Sequence, residues 1–309
     1  MQETSQPILP SSEVAMSELK EKYQSMIQNM GVPGLVLPLT AVKFFRGIDA
    51  EIPPEVLKYK PGGISLTSCQ AVKQASLGDA VCLTRDNIGC VAAAITFGLV
   101  DKNEDKPLGG SRVYTDLMEK QASKEKPFQP PAPKDFTEGR VYASKDAGCD
   151  QFALFGKDDS GRYKDVETAR RAVEEMMAIQ PPDTQAVFFY STEYNDMDLI
   201  PDVVVLSVRP VELTRIIQAY QYNTGRRVKA NMGGLRVVNS DLIVRPYLTG
   251  EINVSTYCLG ARLIAEYEGN RMGIGLPYAD FIEVVKGMAD SRTGFPFHMY
   301  PDADNTLTY

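Results

Sequence analysis

Two stretches of this chain repeat each other in the order and spacing of their local features, and this repetition constrains the fold most. Residues 39–94 and 200–265 each begin with an apolar, β-forming run and continue to a Gly-Gly pair. In each copy a helix-like octet then ends at a glycine (Gly78 or Gly250), and after a short β segment a cysteine opens another helix. The pattern predicts two copies of one unit that face each other across a pseudo-twofold axis.

Helical and strand patterns alternate along the chain, which predicts an α/β or α+β fold. An amphipathic helix should end at Gly31, and β-forming runs cover residues 40–46, 80–84, 186–190 and 202–208. Helices are expected at 69–76, from Cys90 onward, and at 211–220. The two repeats would form one compact unit that carries a polar, proline-rich insert.

The composition of successive segments divides the chain into six parts. They are an N-terminal helix (1–34), a first repeat with Cys69 and Cys90 (35–100), a polar, proline-rich insert (101–140), a middle β/α segment (141–199), a second repeat with Cys258 (200–290) and a C-terminal tail (291–309). Within the insert a short helix is expected at 113–122.

Composition excludes several classes of function. A single histidine, His298, leaves no site of two or three histidines around a metal, and a Ser-His-Asp hydrolase would have to use that residue. The net charge of −7 argues against a nucleic-acid partner. The apolar run at 91–100 is far shorter than the ~20 residues of a spanning helix, and the N-terminus lacks a signal-peptide pattern. We therefore expect a cytoplasmic protein without a membrane partner.

The five cysteines are sparse and odd in number, which suits a reducing compartment. Cys69, Cys90 and Cys258 stand at predicted strand-to-helix junctions, where the helix dipole and free N–H groups stabilise a thiolate and lower its pKa. Pseudo-symmetry would bring the three together. Cys82 lies between Val81 and Leu83 in a strand, so burial is favoured for it over a role as fourth ligand.

Thiolates with almost no histidine select an iron–sulfur cluster, zinc or Cu(I). A structural zinc site needs four protein ligands, whereas a 4Fe–4S cluster with one iron open to oxygen or substrate accepts three cysteines. The cluster is therefore favoured, with zinc or no metal as alternatives. Arg262 lies one turn after Cys258 and could neutralise a cluster or form a surface ion pair, and Gly89 and Gly260 are candidate cofactor contacts beside the cysteines.

The string SCQAVKQASLGDAVCLTRDNIGC (68–90), preceded by AVKFF, resembles domain-of-unknown-function family 169 of archaea and anaerobic bacteria. The segments PDVVVLSVRPVELTRIIQAYQYNTG (201–225), YCLGAR (257–262) and GIGLP (273–277) agree with it. The resemblance implies cysteines at the positions of Cys69, Cys90 and Cys258, with a further one near Ser240. This chain departs there, which leaves Cys82, Ser240, Asp241 or an external ligand for the fourth position.

Two function hypotheses of different classes follow. The first is a cytoplasmic iron–sulfur protein of anaerobic metabolism that transfers electrons to a redox partner or binds a small molecule at an open iron. The second is a non-catalytic carrier or assembly protein with structural thiols or zinc. A nucleophilic enzyme using Cys90 would have only the distant His298 as a base. A homodimer is the default oligomer.

Overall fold

The computed structural model describes residues 15–30, 37–62, 66–101, 171, 175–192, 199–234 and 236–291. The polar insert, the helix expected at 113–122, most of the middle segment and the C-terminal tail lie outside the described residues. Cys149 and His298 do so as well. The two predicted repeats are almost wholly described.

Six strands form one antiparallel sheet in the order β2–β3–β1–β4–β6–β5. Their bounds are β1 (Leu39–Arg46), β2 (Ala80–Thr84), β3 (Thr184–Tyr190), β4 (Val203–Val208), β5 (Asn253–Thr256) and β6 (Met272–Pro277). The four strands predicted from β-forming runs are confirmed. With the helices below, the architecture is a mixed α/β fold, as expected.

Within the described residues, helices are present at the predicted positions, although the one expected at 211–220 runs from Pro210 to Thr224, and others accompany them. They are α1 (Ala15–Met30), α2 (Pro54–Leu57), α3 (Ser68–Ser76), α4 (Val91–Thr96), α5 (Pro210–Thr224), a π-helix (Val237–Val244) that continues as α6 (Arg245–Thr249), α7 (Leu259–Ile264) and α8 (Tyr278–Asp290). Thr67 and Gln70 form a capping box that starts α3. Gly225 adopts the left-handed conformation that ends α5. None of the helices in the described ranges combines the length and apolar character needed to cross a bilayer.

Helices cover both faces of the sheet, which explains why its strands are apolar on both sides. In β4, Val203 and Val205 face one core and Val204 and Leu206 face the other. The first core, which we call the cysteine face, includes residues of α3, α4, the π-helix and α7. The second, which we call the long-helix face, includes residues of α1, α5 and α8.

The strand order reads the same from both edges of the sheet. Counted outward from the centre, one half has the order β1, β3, β2 and the other has the order β4, β6, β5. The first, third and second strands of each half therefore take corresponding places. Ser68 and Asn239 hold matched positions in the two predicted repeats, and the Ser68 hydroxyl donates a hydrogen bond to Asn239 Oδ1. If the two repeats were related by a twofold axis, residues that meet their own equivalents would lie on it. The duplication itself stays a prediction, because strand order does not measure how alike the two halves are.

Two glycines of the GIGLP run, Gly273 and Gly275, lie inside β6. A Cβ on Gly275 would lie 1.9 Å from the main-chain oxygen of Leu242, and one on Gly273 would lie 2.1 Å from Leu242 Cδ1. The π-helix thus rests directly on β6, and only glycine leaves room for it. Its eight residues are all buried.

Candidate cysteine site

Three cysteines stand at the starts of three helices, as the sequence predicts. Cys69 is the second residue of α3, while Cys90 and Cys258 are the N-cap residues of α4 and α7. Cys258 belongs to the buried core of the cysteine face, and the partly buried Cys69 and Cys90 pack against that core. The two halves of the molecule therefore both contribute cysteines to one layer.

The helices that carry these cysteines contact helices of the other half of the molecule. Helix α3 of the first half packs against α7 of the second, and α4 packs against the π-helix. Tyr267 follows α7, and its hydroxyl donates a hydrogen bond to the main-chain oxygen of Cys69 at 3.3 Å. Cys258 also lies close enough to Cys90 to influence its ionisation. These contacts join the surroundings of Cys69, Cys90 and Cys258.

Main-chain hydrogen bonds tie the approach to Cys69 to the approach to Cys90. The Gly89 N–H donates to the Leu66 carbonyl at 2.7 Å, and the Leu66 N–H donates to the Asn87 carbonyl at 3.2 Å. Gly89, a predicted cofactor contact, thus positions the loop before Cys90 through its main chain. Gly260 is buried in the first turn of α7. No described contact assigns either glycine a ligand.

The ionisation of Cys90 differs from expectation. Burial raises the pKa of the Cys90 thiol and outweighs the N–H groups of Ala93 and Ala92 and the charge of Arg236, which lower it. The sequence argument considered the helix dipole but not desolvation. In the ligand-free protein Cys90 is therefore a neutral thiol, and a metal would have to displace its proton.

Arg236 is a site residue that the sequence argument missed. It precedes the π-helix, is buried, and adopts a left-handed conformation with φ of 55°. That conformation costs a residue other than glycine about 1 kcal/mol, and such strain concentrates at functional sites. Its charge acts on Cys90. The available signal was an arginine between a Gly-Gly pair and a strongly apolar run.

Two tyrosines form an aromatic wall beside Cys69, and they too were missed. The rings of Tyr257 and Tyr267 pack with their centroids 4.0 Å apart. Lys73 Nζ lies 5.4 Å from the centre of the Tyr267 ring. Burial is the main reason that the pKa of each phenol lies above its ordinary value, so both hydroxyls stay protonated. Tyr257 directly precedes Cys258, which was its only sequence signal.

Arg262 serves the chain that follows α7. Its Nε donates to the Tyr257 carbonyl at 3.2 Å and its Nη1 donates to the Glu268 carbonyl at 2.6 Å. The guanidinium also lies over the Tyr257 ring. Through these contacts Arg262 supports the loop after α7 and the aromatic wall. Its proposed role in neutralising the charge of a cluster stays a prediction.

Cys82 does not share the layer of the other three cysteines. It is fully buried in β2 on the long-helix face, while its neighbours Val81 and Leu83 face the cysteine side. Burial raises the pKa of this thiol to about 11. Strand alternation therefore places Cys82 on the opposite face of the sheet from Cys69, Cys90 and Cys258, and its role as a fourth ligand stays a prediction that this placement disfavours.

Asp241, another candidate for the fourth ligand, is engaged by its own half of the molecule. Its Oδ2 accepts hydrogen bonds from Ser255 Oγ at 2.7 Å and from the Gly233 N–H at 3.2 Å. Burial raises the pKa of this carboxyl. Asp241 therefore anchors the turn before the π-helix to β5. Ser240 lies beside it and is also buried.

The described ranges hold no preassembled metal site. Within those ranges, no group of three or more histidine, cysteine, aspartate or glutamate side chains is arranged so that it could hold a metal ion. The four cysteines there are all free thiols.

The fold and the cysteine layer define a mixed α/β protein with thiols at the junction of two halves. The chain belongs to the DUF169 family, described as uncharacterised ArCR, whose model matches residues 34–287. It is also similar to a protein of Methanocaldococcus jannaschii named uncharacterized protein MJ0308, with 24% identity over 135 residues. That stretch covers 43% of this chain and about half (55%) of the relative. No solved structure matches the chain.

Proposed function

We propose that this protein binds an iron–sulfur cluster through Cys69, Cys90 and Cys258. One observation carries the proposal: three cysteines from both halves of the molecule begin helices on the same face of the sheet. Structural thiols have no reason to recur at helix starts, whereas thiolate ligands gain from the N–H groups exposed there. Cys82, which lies on the other face, serves as an internal reference.

The residues around the three cysteines suit a negatively charged, thiolate-bound group. The N–H groups of Ala92 and Ala93 and the charge of Arg236 favour the thiolate of Cys90 once ligation removes its proton. When bound, a cluster supplies one-electron redox chemistry, and an iron without a cysteine can take a small oxygen ligand. Because the free protein holds no ready group of three ligands in its described part, binding must draw the helix starts together.

Anaerobic purification and reconstitution with iron and sulfide test the proposal. We expect a brown protein that absorbs broadly at ~400 nm through thiolate-to-iron charge transfer. Cys69→Ser, Cys90→Ser and Cys258→Ser should each lose most of the bound iron, while Cys82→Ala should retain it. Far-ultraviolet circular dichroism shows whether each variant is folded. A wild-type protein without iron and sulfide, or equal loss in Cys82→Ala, would contradict the proposal.

A second candidate is a non-catalytic carrier or assembly protein with free thiols or zinc. The raised pKa of Cys90 favours it, because a neutral thiol packed against a core behaves as a small apolar side chain. This candidate predicts a colourless protein. Stoichiometric zinc would identify the zinc form, and reaction of all thiols with a probe in metal-free protein would identify the carrier.

The proposed setting is the reducing cytoplasm of an anaerobe, which the free state of the described cysteines supports. The proposed partners are a redox protein or a small molecule, with no nucleic acid, and a homodimer is the proposed assembly. Light scattering coupled to size-exclusion chromatography measures the mass against the 34.1 kDa chain. A measured mass of one chain would contradict the proposed homodimer.

A further inference from the structure

An exposed segment between α5 and the π-helix carries three cations within four residues. We call residues 226–232 the basic segment, because it contains Arg226, Arg227 and Lys229 and no acidic residue. The segment forms neither helix nor strand, and all of its residues except Val228 are exposed. Binding residues concentrate on such exposed segments when a rigid scaffold positions them. In a chain whose net charge is −7, the basic segment is a local reversal of charge.

The basic segment passes from one face of the sheet to the other around β5, which is an edge strand. Val228 packs against the core of the long-helix face. The Asn231 main chain exchanges hydrogen bonds of 2.8 and 3.0 Å with the Asn253 side chain, which also donates to the Asp241 carbonyl in the π-helix. These contacts fix the segment at the edge, so a partner need not order it on binding.

The two central cations of the basic segment point to solvent. Arg227 and Lys229 are exposed on either side of the inward-facing Val228, as expected when side chains alternate along an extended chain. The Lys229 ammonium lies 3.8 Å from Glu251, but both side chains are more than half exposed, so this pair contributes little. Arg227 forms no ion pair with a described residue. Both charges are therefore available to a partner.

The basic segment also offers main-chain and apolar contacts. Within the described residues, no hydrogen bond joins the main chain of residues 227–230 to another group. Tyr222 and Met232, which lie on either side of the cations in sequence, are 60% and 55% exposed. An ion pair of 3.0 Å with Asp280 holds Arg226 in place. Exposed tyrosine, methionine and arginine are typical of protein–protein interfaces.

We propose that the basic segment is the docking site for an acidic segment of a partner protein, whose carboxylates pair with Arg227 and Lys229. Carboxylates complement the charge, and the main chain of an extended partner complements that of residues 227–230. A second copy fits less well, because a twofold dimer centred here would place the cations of one copy against those of the other. The inference goes beyond the proposed function and holds with or without a bound metal.

Two other anionic partners are disfavoured by charge. Nucleic acids and anionic bilayers attract proteins through many cations. Here the net charge of −7 opposes such attraction, and the basic segment contains only three cations. A short acidic segment of a protein needs only local complementarity, because salt screens charges beyond ~8 Å.

Peptide binding to the metal-free protein tests the inference. The probes are a fluorescein-labelled peptide of alternating glutamate and valine and its counterpart of alternating lysine and valine, followed by fluorescence anisotropy. Arg227→Glu combined with Lys229→Glu reverses both central charges. Lys58→Glu combined with Lys60→Glu is the matched control, because it changes the net charge equally at two exposed lysines with the same spacing. Circular dichroism checks that both variants fold, and amide hydrogen exchange locates the bound peptide.

We expect the acidic peptide to bind the wild type and the Lys58/Lys60 variant equally, and to bind the Arg227/Lys229 variant at least about tenfold more weakly. Arg227→Gln alone should weaken binding by a smaller factor. The lysine peptide should not bind the wild type. Added salt should weaken the complex, and the acidic peptide should slow hydrogen exchange at the amides of residues 227–230.

Three results would overturn the inference. The first is no binding of the acidic peptide to the wild type at concentrations up to ~1 mM. The second is equal weakening in the Lys58/Lys60 variant, which would show that affinity follows net charge alone. The third is a dimeric wild type that the Arg227/Lys229 substitutions make monomeric, which would identify a second copy as the occupant. None of these results depends on iron uptake, so failure of this inference is distinguishable from failure of the proposed function.

Discussion

The two faces of the sheet are built differently. The long-helix face is covered by α1, α5 and α8, which have 16, 15 and 13 residues. The cysteine face is covered by α3 with nine residues, α4 and α7 with six each, and a π-helix. Short helices are unstable alone and depend on tertiary contacts. The long helices therefore supply stability, while the short ones present their starts to a site.

Buried polar groups divide in the same way. On the long-helix face the buried Arg215 donates to the Met288 carbonyl and to the Ser291 hydroxyl, so it caps the end of α8. On the cysteine face the buried polar groups join different elements, as Ser68 does with Asn239 and Asp241 with Ser255. On the long-helix face Arg215 completes the end of a helix, whereas on the cysteine face these polar side chains connect separate elements.

The largest effect should come from filling the space between the π-helix and β6. Gly275→Ala would place a Cβ 1.9 Å from the Leu242 oxygen, a main-chain atom that cannot move without the helix. We expect the free energy of unfolding to fall by about 3 kcal/mol or more. Urea unfolding measures it. Gly269→Ala, where nothing lies within 4 Å, is the control and should change little. Equal stability of the two variants would contradict the close contact.

A second prediction concerns the alkaline stability contributed by the long-helix face. Burial raises the pKa of Cys82 to about 11, above the ordinary 9.0. The folded state therefore holds this proton after the unfolded chain has lost it, so stability present below pH 9 is lost as the pH rises toward 11. Cys82 contributes up to about 1.4 kcal/mol per pH unit to that decline.

Urea unfolding between pH 8 and ~11 in the metal-free protein measures the slope. Cys82→Ala should flatten it, whatever its stability at pH 8. Parallel curves for the wild type and the variant would show that Cys82 is not shielded from water by the long helices.

The smallest effect should come from the contact between matched helix starts. Ser68→Ala removes the donor to Asn239 and leaves a buried amide oxygen without that bond. We expect a loss of about 1 kcal/mol in the free energy of unfolding. Ser76→Ala, at the other end of α3, is the control, because its hydroxyl bonds only locally to the Lys73 carbonyl. An equal loss of stability in Ser76→Ala would contradict a special contribution from the Ser68–Asn239 hydrogen bond.

Local patterns predicted the elements well because their causes are local. Thr67 and Gln70 start α3 and Gly225 ends α5 by short-range hydrogen bonding and backbone geometry. The helix-start positions of Cys90 and Cys258 followed from the same reasoning.

The remaining features depend on contacts distant in sequence. Strand alternation sets Cys82 apart from Val81 and Leu83, but which face carries the other cysteines depends on the helices that pack there. The raised pKa of Cys90 results from burial by several elements, and the strand position of Gly275 results from a helix that packs on it. The place of Tyr257 in the aromatic wall depends on its ring packing against Tyr267, which is a tertiary contact.

The two halves of the sheet have corresponding strand orders but differ in how far apart along the chain their paired strands lie. The second half joins β4, β6 and β5 within residues 203–277, whereas β1 and β2 both need β3, so that Ala41 finds its partner only at Tyr190. Closing the longer loop is slower. In refolding of the full-length chain we therefore expect nucleation in the later half, whose strands are closer together in sequence.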